Sequence, residues 1–294
     1  MSSAGTNYRN VRRARSLASF SWSAWRRHGR HAAGWIMAGL FSAVAGPAAG
    51  ADSQELAKQL SNPVAALISI PFQYNYDRGL GPDGNGHRNT LNIQPVVPIT
   101  LNEDWNLISR TILPVTWQSG VTADGASQSG LGDTVQSFFF SPAKPTAAGT
   151  IWGLGPALLV PTATDSQLGG KKWGAGPTGV VLQQNGPWTY GGLANHIWSY
   201  AGQSSRPGVS STFLQPFLAY TTPDAITYAL NTESTYDWNR SEWSVPVNFQ
   251  VSKVTKIADQ PISFQVGLRY WAESPERGPR GWGGRFTVTL LFPR

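Results

Sequence analysis

Six charged residues fall on what reads as the polar parity of otherwise apolar, alternating segments: Asp77, Arg110, Glu233, Arg269, Glu273 and Arg285. Side chains of these types in a confined space can do one of two things. They can pair across it, because a charge removed from water needs a partner, or they can form a constriction that sorts solutes by charge and hydrogen bonding. Arg269 and Glu273 lie four apart on one segment, so about 13 Å of extended chain separates them and each must look elsewhere for a partner. By parity the candidates are Glu233 and Arg110, although Arg110 has the least clear parity of the six. The sequence leaves both readings open.

Covalent chemistry has less to work with. Beyond position 51 there are two histidines, His87 and His196. A lipid hydrolase would need serine, imidazole and an orienting amide or acid within hydrogen-bond reach. His87 lies near Asn89, and His196 follows Asn195 with Ser199 one residue off its parity. Neither has the His-x-Ser spacing that sets both side chains on one strand face, so no catalytic residue is assigned and the chain is not read as an enzyme. Asp83, Asn85 and Asp124 sit in glycine-rich stretches and could offer oxygens to calcium, but the ligand order of an EF-hand loop is missing. The chain has no cysteine, which removes thiol chemistry, disulfides and cysteine-bound metals. Gly153 and Gly155 are followed by neither a helix nor a third glycine, as a dinucleotide site requires; they are expected to make room where backbones or a plug approach. No cofactor and no metal are expected.

The elements that would position these residues are strands. In the last hairpin Ile262, Phe264, Val266, Leu268 and Tyr270 share one parity and Ser263, Gln265, Gly267, Arg269, Trp271 and Glu273 the other; Phe286, Val288, Leu290 and Phe292 continue the apolar face, and only Leu291 spoils the polar one. A period of two means successive side chains on opposite faces of a sheet. Ile68, Ile70, Phe72, Tyr74 and Tyr76 against Ser69, Gln73, Asn75 and Asp77 repeat the pattern at the start. Segments of about ten residues, aromatic towards their ends, suit a tilted bilayer crossing, and closure into a barrel removes the exposed edges a sandwich would leave. Twelve such segments can be counted, joined alternately by short turns and by longer loops such as 78–88, 119–129, 162–172 and 274–281. The expected fold is an all-β, transmembrane, antiparallel up-and-down outer-membrane barrel over 67–294, with both termini in the periplasm. The fourth, sixth, seventh and eighth segments alternate poorly. Pro71, Pro95, Pro98, Pro114, Pro156, Pro216 and Pro246 lie inside strands, where each removes a ladder donor and predicts a bulge or distortion.

Composition agrees with a membrane destination. The net charge of +7 suggests nucleic acid only until it is located: seven of the 23 basic residues precede position 52, leaving 16 to balance all 16 acids. No nucleic-acid partner is expected. Residues 1–51 have a basic start, an apolar run from Ala32 to Ala45 too short to span as a helix, the Pro47 break and Ala49-Gly50-Ala51, so they read as an export signal cleaved after Ala51. Residues 52–66 hold a short helical stretch stopped before Pro63 and are expected to be a periplasmic segment or a small plug. The expected partners are outer-membrane lipid, a small-molecule solute and the barrel assembly machinery.

Several stretches carry a family resemblance. Leu56 to Gln73, Asn92-Ile93-Gln94-Pro95-Val96-Val97-Pro98, Gly153-Leu154-Gly155-Pro156, Val160-Pro161-Thr162-Ala163 and the ending from Thr287 to Pro293 resemble proteobacterial outer-membrane "transporter" barrels, sometimes labelled neuromedin U and related to the barrels of meta-pathway phenol degradation clusters. The resemblance implies passive passage of small, hydrophobic or aromatic molecules, and it supplies no catalytic residue. The alternatives are a barrel with a structural or surface-interaction role and an outer-membrane lipid hydrolase.

Overall fold

The computed structural model describes residues 53–293 of the chain; the expected export signal and its cleavage site after Ala51 lie outside the described residues. One helix, α1 (Ser53–Leu60), precedes fifteen strand segments: β1 (Ile68–Leu80), β2 (Gly86–Ile93), β3 (Val96–Thr100), β4 (Trp105–Ser119), β5 (Ser127–Leu131), β6 (Thr134–Pro142), β7 (Thr150–Val160), β8 (Lys172–Asn185), β9 (Trp188–Gly202), β10 (Ser210–Thr221), β11 (Ile226–Thr232), β12 (Ser234–Asp237), β13 (Glu242–Ile257), β14 (Gln260–Glu273) and β15 (Gly281–Phe292). β2 with β3, β5 with β6, and β11 with β12 are collinear halves of single crossings, so the sheet is a closed antiparallel barrel of 12 strands. β1 pairs with β15, placing Ile68 opposite Phe292, and β9 pairs with β10. The ring therefore has no free edge.

The strands differ from the sequence expectation mainly at their ends. β1 runs on to Leu80 and β2 begins at Gly86, so the glycine-rich connection shrinks to 81–85; the fourth crossing starts at Ser127, and β13 reaches Ile257. Two-residue turns at 186–187 and 258–259 lie at the end that carries the chain termini, and the longest loop, 161–171, lies at the other. The alternation of short and long is imperfect, since 143–149 is long for its end and 238–241 short for its own.

The prolines distort the ladder selectively. Pro156 faces Pro177 across β7 and β8. Opposed prolines turn their missing donors towards the outer neighbours, and there the pairing skips: β6–β7 jumps from Ser137–Ala157 to Phe140–Leu154, and β8–β9 from Ala175–Trp198 to Thr178–Asn195. Pro95 lies in the gap between β2 and β3, and Pro246 lies at a register shift in β13. Pro71, Pro114 and Pro216 keep register with one neighbour but stand at gaps in the pairing with the other, beside the β2–β3, β5–β6 and β11–β12 breaks, and only Pro98 leaves its pairing undisturbed. Gly155 lies at the Pro156 skip, where a Cβ would collide with the Phe138 carbonyl, and a Cβ at Gly153 would sit 3.3 Å from Val64 Cγ1. The two glycines thus make room for a neighbouring backbone and for the N-terminal segment, as expected.

The barrel exterior is apolar. Phe264, Val266 and Leu268 point outward, with Val266 59% exposed. Towards the short-turn end Trp105 packs edge-on to Trp152 and Trp188 to Tyr220; towards the long-loop end Tyr236 packs against Trp238 and Trp243, and Tyr270 against Trp282. An apolar band between two aromatic girdles is the surface a bilayer requires. No described helix is long and apolar enough to cross a membrane.

The interior is divided by type. Phe139, Val180, Leu182 and Leu193 are buried on the inward face of β6, β8 and β9, with Phe213 and Phe217 of β10 packed on them. This apolar wall is why those crossings alternate poorly in sequence, since both of their faces carry apolar residues. Opposite stand Asn75, Asn248, Gln250 and Thr287, buried and polar.

Candidate functional site

Charged side chains gather on the polar side of the lumen. Arg285, on β15, points inward because it shares parity with Thr287 and Thr289. Its two terminal nitrogens donate to the two Glu233 carboxylate oxygens at 2.8 and 2.7 Å, and its Nε donates to Asn75 Oδ1 at 2.7 Å. A fork meeting both oxygens is the strongest geometry open to such a pair. The Arg285 side chain is 2% exposed and that of Glu233 20%. Gly267 stands beside Arg285 in the ladder. A Cβ there would come within 3.0 Å of Gln250 Cγ, so the glycine keeps the wall thin where the guanidinium passes.

Glu233 occupies the one-residue break between β11 and β12. The registers on either side, Thr232 opposite Val247 and Thr235 opposite Ser244, put Glu233 level with Pro246. Pro246 has no N–H to give, so the ladder parts there. The interruption on the neighbouring strand is thus what sets the acid apart from a regular ladder.

Arg269, on β14, completes the girdle. Its Nε lies 3.6 Å from Asp77 Oδ1 and one terminal nitrogen lies 3.9 Å from Glu233 Oε2. Its guanidinium stands 4.6 Å from the Trp271 ring centroid, within cation–π range. Trp271 Nε1 donates to Asp77 Oδ1 at 2.7 Å. The structure therefore brings together Asp77, Glu233, Arg269 and Arg285, and the partner of Arg269 that the parity argument missed is Asp77. Arg110 is inward and lines the cavity below this cluster. Glu273 is corrected: it is exposed at the upper end of β14 and forms no ion pair among the described residues. Arg88 was missed, although its parity with Asn92 and Gln94 was there to be seen; its Nε donates to Gln118 Oε1 at 2.8 Å.

The girdle separates two cavities. Above it, towards the long loops, a space of about 520 Å³ is lined by Asp77, Arg88, Arg240, Arg269, Trp271 and Arg277. Below it, a space of about 230 Å³ is lined by Arg110, Gln215, Phe217, Gln250 and Gln265 and bounded by residues 57–65. Along β14 the order is Gln265 in the lower space, Gly267 beside Arg285, then Arg269 in the upper space.

Residues 53–67 fill the short-turn end. Leu56 and Ala57 of α1, with Ala65 and Leu67, form a buried cluster with Ala225, Val254 and Leu291. Leu291, the odd residue on a polar face in sequence, faces this cluster. Gln184 Nε2 donates to Lys58 O at 2.9 Å, and Val64 packs with Ile108 and Phe139.

The residues considered for other chemistry are placed elsewhere. Among the described residues neither histidine is hydrogen-bonded to a serine: His196 Nδ1 lies 2.7 Å from Thr212 Oγ1 on the outer surface, and Asn89 Oδ1 accepts from Tyr74. No three acidic or imidazole side chains converge as metal ligands among the described residues. The Asp124 carboxyl is held below its ordinary range by the Thr122 hydroxyl and the Ala126 amide, which already occupy one of its oxygens.

No protein-family model and no curated protein matches the chain in sequence. Among solved structures it is similar to an outer membrane channel from Pseudomonas putida F1, at 15% identity and a TM-score of 0.61 over 77% of this chain and 96% of that one. Outer membrane phospholipase A from Escherichia coli aligns at 9% identity and a TM-score of 0.47, covering 76% and 89%, and the KdgM porin, solved in complex with disordered oligogalacturonate, at 11% and 0.41, covering 77% and 99%. The first of these likenesses shows an outer-membrane barrel fold.

Proposed function

We propose that this chain is an outer-membrane channel for the passive passage of small molecules. One observation carries the reading: inside an apolar, lipid-facing barrel, a charged girdle lies between a polar upper cavity and a lower cavity of mixed lining. A barrel serving only as a structural element has no need of a lumen hollow on both sides of a charged cluster. The likeness to the Pseudomonas putida channel supports the same reading. Hydrophobic or aromatic cargo is supported by the apolar wall from Phe139 to Phe217 and by the resemblance to the phenol-degradation barrels. Asp77, Arg110, Glu233, Arg269 and Arg285 are the residues assigned to the constriction.

Residues 53–66 act as a plug at the periplasmic mouth, since the α1 cluster sits against inward-facing Val254 and Leu291. Reconstituted into planar bilayers, the barrel is expected to conduct, and removal of residues 53–63 should raise single-channel conductance several-fold while the barrel keeps its heat-modifiable mobility. Absence of ion flux with and without the segment would refute the channel and leave a structural or surface-interaction barrel. Flux that does not change on removal of the segment would refute only the plug.

A further inference from the structure

The upper cavity is more basic than a cross-paired structural network needs to be. Four guanidiniums line it, those of Arg88, Arg240, Arg269 and Arg277, and Asp77 is the one acid among its described lining residues. Asp77 is already engaged by Trp271 Nε1 and Arg269. Arg88 spends its Nε on neutral Gln118 and has no acid within ion-pair distance among the described residues. Arg269 is about nine-tenths buried, yet its Nε has no hydrogen-bond partner and its carboxylate contacts are long, 3.6 and 3.9 Å. Unmet donor capacity on a buried guanidinium is costly unless a further acceptor arrives.

The neighbouring wall supplies a second requirement. β10 and β11 place Phe217 level with Asn231, and β10 and β12 place Phe213 level with Thr235. Both rings lie on the inward face one step to either side of the level of Glu233, so apolar surface begins where the charged girdle stands. Trp271 adds an aromatic face within the cavity itself. A molecule suited to both surfaces carries one negative head and an apolar body.

We propose that the upper cavity binds small organic monocarboxylates with an apolar, preferentially aromatic body. The carboxylate is taken by Arg88 and Arg269, and the body lies against Trp271, the aromatic face that lines the same cavity. A planar guanidinium meets a carboxylate through two parallel bonds, while Arg240 and Arg277 at the mouth raise the local concentration of anions. The inference rests on the channel reading for the direction of passage; binding at the cavity does not depend on it.

Benzoate is the probe, with benzyl alcohol and inorganic phosphate as controls, and the protein is the full barrel including its N-terminal segment. Calorimetry in detergent should show saturable benzoate binding, with neither control binding comparably. In bilayers the wild type should be anion-selective, and benzoate should reduce its chloride current saturably. Arg88→Gln should weaken benzoate binding about tenfold, the loss expected for one charge-assisted contact, with Arg88→Lys intermediate. If Arg269→Gln fails to assemble, Arg88→Gln still carries the test, and Arg240→Gln should lower anion selectivity. A conducting barrel that binds no benzoate, or binds phosphate or benzyl alcohol equally well, overturns this inference and leaves the channel intact. A barrel that binds benzoate and conducts nothing, with or without residues 53–63, overturns the channel and leaves the site.

Discussion

Replacing Glu233 with alanine should destabilise the folded barrel by about 3 kcal/mol or more, because removing one partner of a buried pair leaves the other charge uncompensated. Arg285 is the charge left behind; its two donor bonds to Glu233 vanish and only Asn75 remains. Arg269 loses its 3.9 Å contact with the same carboxylate. A lumen that admits water softens the penalty, which is why the lower end of the range for buried pairs is expected. The measurement is a urea midpoint in detergent, read by the mobility shift between folded and unfolded forms. Glu233→Ala with Arg285→Ala should recover part of the loss, since the double change removes both charges. A single variant that unfolds at the wild-type midpoint would show that the girdle is not a stabilising network. The same variant leaves the lumen one acid poorer, so the surviving channel should become more anion-selective.

The second large effect lies on the other face of the same hairpin. Val266→Arg should cost roughly 2 to 4 kcal/mol if its site is near the bilayer midplane. Val266 is 59% exposed on the outer surface, where exposure means contact with lipid tails. Its sequence neighbour Gln265 lines the lower cavity, and Gln265→Arg should be much better tolerated. Folding efficiency into lipid vesicles, compared for the two variants, checks the orientation of β14. Equal damage at both positions would mean that the inner face is as dry as the outer.

Both predictions draw on a parity that the sequence already displays. Alternation in the last hairpin and in β1 is a local property, and tertiary context has little freedom to override it once one face must meet lipid. Where two faces are apolar the signal disappears. Phe139, Val180, Leu182, Phe213 and Phe217 face inward against a dry wall, so their strands could be counted in sequence but not oriented. Glu273 shows a different failure. It shares the parity of Arg269 and Trp271, but the register with β13 shifts beside Pro246 and the strand ends at Glu273 itself. Its side chain is therefore at the rim, above the girdle. Arg88 was hidden by the reverse error, because glycines at 79, 81, 84 and 86 read as loop where the strand pairing in fact extends from Gly86 onward.

By itself the sequence determined an all-β chain of about twelve crossings, an apolar outer surface, an excess of basic residues confined to positions 1–51, and the inward parity of Asp77, Arg269 and Arg285. These follow from period-two patterning, turn composition and charge position, all legible over a few residues. The pairing of those charges was decided only by the tertiary structure. Arg285 meets Asn75 and Glu233 across 210 and 52 residues of chain, contacts that exist only once β1 pairs with β15 and the ring closes. The burial of Leu291 against Leu56 was settled the same way, because the N-terminal segment reaches the short-turn end of the lumen only when a lumen has formed. Parity along a strand is a local consequence of backbone geometry; which inward side chains share a level depends on register and tilt summed around the whole barrel.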